Sequence, residues 1–271
     1  MASGETEFRW ERMTAAEIGE WAARDATVIL PVAALEQHGP HLPVWTDSLI
    51  GHATAIRAAG LVAGDAPAIV LPPMWQGISE HHLPFGGTIS LDFRAMQAVI
   101  ACVVRSIRAC GFRKLLLSNS HGGNVEPLMV IARELGAETG IPIVTVTIHN
   151  AAAAAIAGIL ETQSGTLHAC EAETSLYLAL DADGVRKDRI ADALSPDARS
   201  VGGSAFQRFW SFAERAPVTG VRGDPRAATA EKGERILAAM AEALAKGLRD
   251  PALWSTPDDV WAPGRAGRAA Q

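Results

Sequence analysis

Short apolar runs with β-branched residues alternate along this chain with longer amphipathic stretches, and that alternation limits the folds open to it more than any other feature. Thr27–Val32 (TVILPV), Ala68–Leu71, Lys114–Leu117 and Pro142–Ile148 read as buried strands. Between them the spacing predicts helices. Thr14 with Glu17 forms a capping-box pair opening a helix to about Asp25, and a second helix follows Asp47 to near Gly60. Ser90 or Asp92 can cap a helix over Phe93–Cys110, with Gly111 as its C′ residue. Further helices are expected over Glu126–Thr139 (closed by Gly140), Ala172–Ala182 and Thr229–Leu248. Strands joined by helical crossovers pair in parallel, so the expected fold is a three-layer α/β/α domain around a mostly parallel sheet. One domain over 1–271 is expected, with a core at about 10–248 and a tail at 249–271.

The polar clusters fall in register with the strands. Glu36, His38, His41 and Asp47 follow the first strand, and Gly77-Ile78-Ser79-Glu80-His81-His82 follows the second. Asn119–Asn124, including His121, follows the third, and His168–Ser175 comes after the fourth. Ligands of such sheets gather beyond the carboxyl ends of the strands, so these clusters share one edge. Carboxylate oxygen with imidazole nitrogen suits first-row divalent ions, and an extended Glu-x-His pair points both side chains the same way. A metal site is the natural expectation.

Composition excludes other classes. A formal charge of −6 leaves no basic footprint for nucleic acid or an anionic membrane surface. Cys102, Cys110 and Cys170 lack the C-x-x-C spacing of a zinc ribbon or a disulfide framework, which fits a reducing cytoplasm. The first residues lack the apolar core of a signal peptide, and no apolar run reaches a membrane span. No Gly-x-Gly-x-x-Gly turn follows the first strand, which weighs against a dinucleotide-binding domain.

Glu36-Gln-His-Gly-Pro-His-Leu-Pro with Thr46-Asp47, Gly77-x-Ser79-x-His81, Ser120-His-Gly-Gly-Asn124, His168-Ala-x-x-x-Glu173-Thr-Ser and Gly223-Asp-Pro225 with Ala228-Thr229 occur in this order. Together they resemble the creatininase (creatinine amidohydrolase) family over roughly residues 10–245. The resemblance implies hydrolysis of a non-peptide C–N bond, of cyclic amide or formamide type, in a small molecule. It also implies two divalent ions (zinc, manganese or iron), a bridging hydroxide as nucleophile, and a homo-oligomer such as a homohexamer built from dimers. Carried over by position, Glu36, His38, Asp47 and His121 are expected ligands, with Asp47 the bridge. Glu173 is the fifth ligand, against Glu171 two residues away, which also stands as a catalytic candidate. His168 matches the family's acid/base histidine.

Other residues take supporting roles in this expectation. Ser79 and His81 are placed at the pocket mouth, Trp75 as an apolar wall with Trp45, and Gly122 and Gly123 where backbone must approach a substrate or ion. His41 is expected to fix the loop. Creatininase proper carries a metal-binding glutamate where this chain has Gly123, and tryptophans before the His168 motif that this chain lacks, so creatinine is not the expected substrate. The pattern is closer to the wider family, which includes a formamide hydrolase of flavin and deazaflavin biosynthesis and a peptidase of mycofactocin maturation. The loss at Gly123 keeps a second hypothesis open, a silent relative acting as a binding or structural subunit. The alanine run 151–155 reads as a connecting helix, with a lid as the alternative. Residues 183–228, rich in Gly, Pro, Ser and Arg, read as irregular surface or interface structure, and Trp254 or Trp261 as a contact to another subunit.

Overall fold

A computed structural model describes residues 6–195, 197–199, 205, 208–259 and 261. Helix α1 (Ala15–Ala23) opens on the expected box: the Glu17 N–H donates to the Thr14 hydroxyl, and the Thr14 N–H donates to the Glu17 carboxylate. Strand β1 (Thr27–Val32) follows, then α2 (Thr46–Leu61), β2 (Ala68–Val70) and α3 (Phe93–Ala109), whose N-cap is Asp92. Next come β3 (Leu115–Asn119), α4 (Val125–Thr139) and β4 (Ile143–Thr147), with Gly140 ending α4 at φ 69°, a backbone that a Cβ would strain. After β4 lie α5 (Ile148–Ala151), α6 (Ala153–Ala157), α7 (Glu171–Leu180), α8 (Phe212–Arg215) and α9 (Ala230–Arg249).

The sheet order is β2-β1-β3-β4 with every pairing parallel, as the crossovers demand. Alternation sorts the strand residues between two cores. Val28, Leu30, Val32, Leu115 and Leu117 face α1, α3 and α4, whereas Ile29, Leu116, Ala68 and Val70 face α2, α7 and α9. Burying one such large aliphatic side chain stabilises by roughly 1.5–3 kcal/mol, so these two faces hold the domain. Both layers then leave the C-terminal sheet edge free for polar loops.

Two expectations are refined here. Ile156, after the alanine run, is fully buried in the α2/α7/α9 core, so that run is a pair of short connecting helices and not a lid. Trp254 donates its indole N–H to Gly247 O at 3.1 Å and packs on its own chain, while Trp261 is 83% exposed. The rest of the expected tail, Val260 and 262–271, lies outside the described residues, as do Pro196 and parts of 200–207.

Candidate metal centre

The loop leaving β1 carries Glu36 and His38 into the interior beyond the sheet edge, where both are buried. Asp47 enters from the first turn of α2 and Glu173 from the first turn of α7. Two helix N-termini therefore aim their positive ends at the patch that holds these carboxylates. His121 arrives from the end of β3, its backbone locked by a pair of hydrogen bonds with the Asn119 amide, 3.0 Å and 2.8 Å. The Ser120 hydroxyl donates to Asp47 O at 2.9 Å, tying the β3 loop to α2.

All five expected ligands thus meet in one place. His38 Nε2 lies 3.3 Å from Asp47 Oδ1 and 3.9 Å from Glu173 Oε2. His121 Nδ1 lies 3.2 Å from Asp47 Oδ2 and 3.2 Å from Glu36 Oε2. Asp47 therefore sits between two donor sets, one oxygen toward each. His38, Asp47 and Glu173 form one compact group, Glu36, His121 and His81 a second, and Glu36, His38 and His168 a third.

The tautomers suit metal ligation. His38 Nδ1 donates to Glu36 O at 3.1 Å, which leaves the Nε2 lone pair facing the carboxylates. His121 Nε2 donates to Ile78 O at 3.0 Å, which leaves Nδ1 free for the same purpose. Among the described residues, His38 Nε2 and Asp47 Oδ2 are buried with no hydrogen-bond partner, an arrangement a protein seldom leaves uncompensated. A divalent cation fits this donor set: three carboxylates and two oriented imidazoles, all buried, with open lone pairs converging.

Protons register the same field. Burial opposes charge on His38, yet the Asp47, Glu173 and Glu36 carboxylates outweigh it and raise its pKa to about 9. His121 is likewise raised well above the ordinary value against its burial, by Glu36 and Asp47. Burial pushes Glu173 up to about 7, whereas Asp47, although desolvated, is drawn down by the two histidines. A cation would take the place of the protons these groups share.

Around the ligands stands a supporting layer. The Ser79 hydroxyl donates to Glu36, and His82 Nε2 lies 3.4 Å from the other Glu36 oxygen. Gln37 links three loops: its Oε1 accepts from Gly39 N–H at 2.9 Å, and its amide hydrogens reach His82 Nδ1 at 2.8 Å and Gly220 O at 3.2 Å. With both amide hydrogens engaged, His168 Nε2 donates to Gln37 O at 2.8 Å. His168 Nδ1 is then an acceptor, 3.6 Å from Glu36 Oε1. Burial and the nearby His38 charge hold His168 well below its ordinary pKa, so it is neutral. Ala169 beside it takes φ 52°, unusual for alanine, and its N–H donates to Glu173.

Glu171 points away from the ligand cluster. Its carboxylate accepts from Lys232 Nζ at 2.6 Å, from the Thr162 N–H at 2.8 Å and the Thr162 hydroxyl at 2.7 Å, and from the Glu161 N–H. All its acceptor capacity is spent pinning α9 and the segment before the His168 motif, because helical spacing turns residue 171 about 200° from residue 173. His41 shares a 2.8 Å hydrogen bond with Thr174 Oγ1 and fixes the loop against α7.

A cavity of about 450 Å³ opens above the cluster. Gly122, Gly123, His81 and His168 line it, but Trp75 and Trp45 do not, and Ser79 acts from behind Glu36. The aromatic wall comes instead from Phe209, Trp210 and Phe212, with Arg215 and Arg222 beside them. Phe212 stacks on His82 at 3.9 Å and meets His168 edge-on at 4.7 Å. Sequence reasoning passed over this segment as irregular surface. The available signal was the Ser211–Glu214 capping box next to a Phe-x-x-Phe-Trp-x-Phe cluster.

Gly123 has a packing reason. A Cβ there would lie 2.3 Å from Ile78 O, 2.5 Å from His121 Nε2 and 2.7 Å from His81 Cε1. The His81 ring stacks at 17° over His121, in the space a side chain at 123 would need.

A parallel α/β/α domain with a buried carboxylate–imidazole cluster at its C-terminal sheet edge is an arrangement able to hold divalent cations. The chain belongs to the creatininase family: the family model described as creatinine amidohydrolase matches residues 11–248. It is 34% identical over 228 residues to the mycofactocin precursor peptide peptidase of Mycobacterium ulcerans, covering 80% of this chain and 82% of that one. It is 31% identical over 249 residues to the creatinine amidohydrolase of Pseudomonas putida, covering 84% and 91%. A crystal structure of a putative creatinine amidohydrolase from Bacteroides fragilis superposes with TM-score 0.79 at 26% identity, covering 91% of this chain and 96% of that one. A manganese creatininase superposes at TM-score 0.74 with 27% identity, covering 90% and 98%, and a mutant creatininase is of Zn–Zn type.

Proposed function

We propose that this protein hydrolyses a C–N bond of amide type in a small molecule, cyclic amide or formamide, using two divalent cations of zinc, manganese or iron. The observation that carries this is the buried cluster in which Asp47 turns one oxygen toward His38 and the other toward His121, with His38 Nε2 and Asp47 Oδ2 unpartnered among the described residues. His38, Asp47 and Glu173 would hold one ion; Glu36, Asp47 and His121 would hold the other. His81, grouped with Glu36 and His121, would be a further donor there, and its ring fills space that a side chain at Gly123 would need. Bound ions of this kind activate water near neutral pH and polarise a carbonyl.

The chain's own groups do the rest. His168, neutral and with Nδ1 open, accepts the proton of the attacking water and returns it to the leaving nitrogen as the C–N bond breaks. Gln37 O holds the imidazole in the tautomer that allows this. Phe212 and Trp210 exclude water from one side, and the Gly122 backbone, where nothing lies within 4 Å of a hypothetical Cβ, leaves room for the substrate. Glu171 has a structural role, locked to Lys232. A second reading, cleavage of a peptide C–N bond in a short modified peptide, is favoured by the identity to the mycofactocin peptidases.

The test is metal analysis of the purified protein together with hydrolysis of a panel of cyclic amides, aryl formamides and short peptides. Two metal equivalents, lost with hydrolysis in Asp47→Asn, are the expected result. Metal-free protein as active as the loaded form would refute the proposal, and hydrolysis confined to the peptides would select the second reading.

A homo-oligomer in the cytoplasm belongs to the same proposal. It is supported by the open β4 edge, whose five residues are all only half-buried, and by Met129, 63% exposed beside it. Light scattering after size exclusion checks the assembly. No helix among the described residues is long and apolar enough to cross a membrane.

A further inference from the structure

Two arginines, Arg215 and Arg222, line the cavity without an ion pair among the described residues. Arg222 is fixed by a backbone bridge to His168, with hydrogen bonds of 2.9 Å and 3.1 Å in both directions, so it stands next to the imidazole that faces the cluster. Arg215 ends α8, its guanidinium 5.7 Å from the Phe212 ring centre. Both side chains are half-buried and both line the cavity that holds Glu36, Asp47 and Glu173.

Among the described residues no carboxylate forms an ion pair with either guanidinium, and Arg215 Nε is buried without a hydrogen-bond partner. The adjacent Glu214 is committed elsewhere, to Arg208 at 2.8 Å and to the Ser211 N–H at 3.0 Å. Burial lowers the pKa of both arginines, and for Arg215 the Arg222 charge adds to that while the adjacent Glu214 carboxylate opposes it in part. Two like charges lining one cavity and partly out of water cost free energy that Glu214, already shared with Arg208 and the Ser211 N–H, returns only in part. The cost also falls on a part of the cavity not needed for the ligand cluster. Such an arrangement persists when a bound group of opposite charge completes it, and guanidinium forks suit oxyanions, which they bind with two parallel hydrogen bonds.

We infer that Arg215 and Arg222 form an oxyanion seat: the substrate carries a carboxylate or a phosphate, anchored on this pair while its C–N bond faces His168 and the ligand cluster. The nature of the scissile bond rests on the hydrolase proposal above; the seat rests on the cavity alone. Anchoring through a group remote from the reacting atoms is how binding energy is used to position a substrate. The aromatic surfaces of Trp210 and Phe212 would flank the segment between anchor and amide.

The test has a binding arm and a kinetic arm, both on the metal-loaded protein. Calorimetric titration compares benzoate and phenyl phosphate with uncharged benzyl alcohol. Hydrolysis compares 4-formamidobenzoate and 4-formamidophenyl phosphate with neutral N-formyl-p-toluidine. At least one anion is expected to bind about tenfold or more tightly than the alcohol, and the stronger of the two identifies the source of the charge. In Arg215→Met/Arg222→Met that advantage should disappear with metal content unchanged, and the anionic-to-neutral ratio of kcat/KM should fall by a similar factor, mainly through KM.

Anion binding that survives in the double variant places the anion on the metal ions and overturns the inference, as does equal affinity for charged and neutral probes in the parent protein. Should the double variant unfold, Arg222→Lys decides the matter: it keeps the charge and loses the fork, so affinity should drop about threefold, and an unchanged affinity overturns the seat. If the parent hydrolyses no amide yet binds anions through the arginines, the hydrolase proposal fails and the seat stands.

Discussion

The floor and the wall of the cavity are built on opposite principles. Floor residues Glu36, His38, Asp47, His121 and Glu173 come from strand ends and helix first turns, are buried, and answer one another's charges at 3.2–3.9 Å. Wall residues Trp210, Phe212, Arg215 and Arg222 come from a segment with little regular structure, and neither arginine forms an ion pair among the described residues. A floor of this kind supports one chemistry across many substrates; a wall of this kind selects among them. The contrast teaches that reaction type and substrate choice are separable in this domain.

Perturbing the floor should have the larger effects. His168→Ala is expected to lower kcat by about 10²–10⁴-fold with metal content intact, because only a proton carrier is lost. Equal loss of metal and activity would instead make His168 a ligand, consistent with its nearness to Glu36 and His38. Lys232→Met removes the partner of buried Glu171 and should cost about 2 kcal/mol in chemical denaturation, since the remaining donors to that carboxylate soften the loss. An activity loss larger than the stability loss would return Glu171 to the chemistry. In the wall, Phe212→Ala should raise KM about tenfold and change kcat less, and a dominant kcat effect would break the floor–wall division.

The smallest predicted effect is on pH dependence. In metal-free protein the folded pKa values of His38, about 9, and Glu173, about 7, lie above their ordinary values of 6.5 and 4.5, so the fold binds protons more tightly than the unfolded chain. Their stabilisation is complete at low pH and is lost as pH rises through about 7 and then about 9, whereas Asp47, shifted down, costs stability only in strong acid. Chelator-treated protein should therefore show a Tm falling by several degrees between about pH 6 and 9, a slope that metal-loaded protein lacks. Parallel profiles for the two forms would separate these protons from metal binding.

Much of this was legible in the chain. Capping boxes, apolar runs and closing glycines are local signals, and β1, α1 and α4 appear within a residue or two of their expected bounds. Strand-end placement alone brings the polar clusters to one edge. Three things were not legible. Glu171 and Glu173 differ only in the direction each leaves α7, and that depends on how α7 packs against α9 and the 161–162 backbone. Trp75 and Trp210 are equally aromatic, and only the chain path decides which meets the cavity. Gly123 looked like a lost ligand, whereas the space around it is filled by His81 and His121.

By itself the sequence determined the layered parallel fold, the edge where chemistry collects and the residue types of its centre, because strand and helix periodicities and ordered motifs are properties of neighbours along the chain. Tertiary structure alone decided which carboxylate faces the centre, which nitrogen of each histidine is open, and which aromatic and cationic residues close over it. Those depend on atoms from segments more than a hundred residues apart, such as Gln37 with His168 and Gly220, and their approach is set by packing that no local pattern encodes.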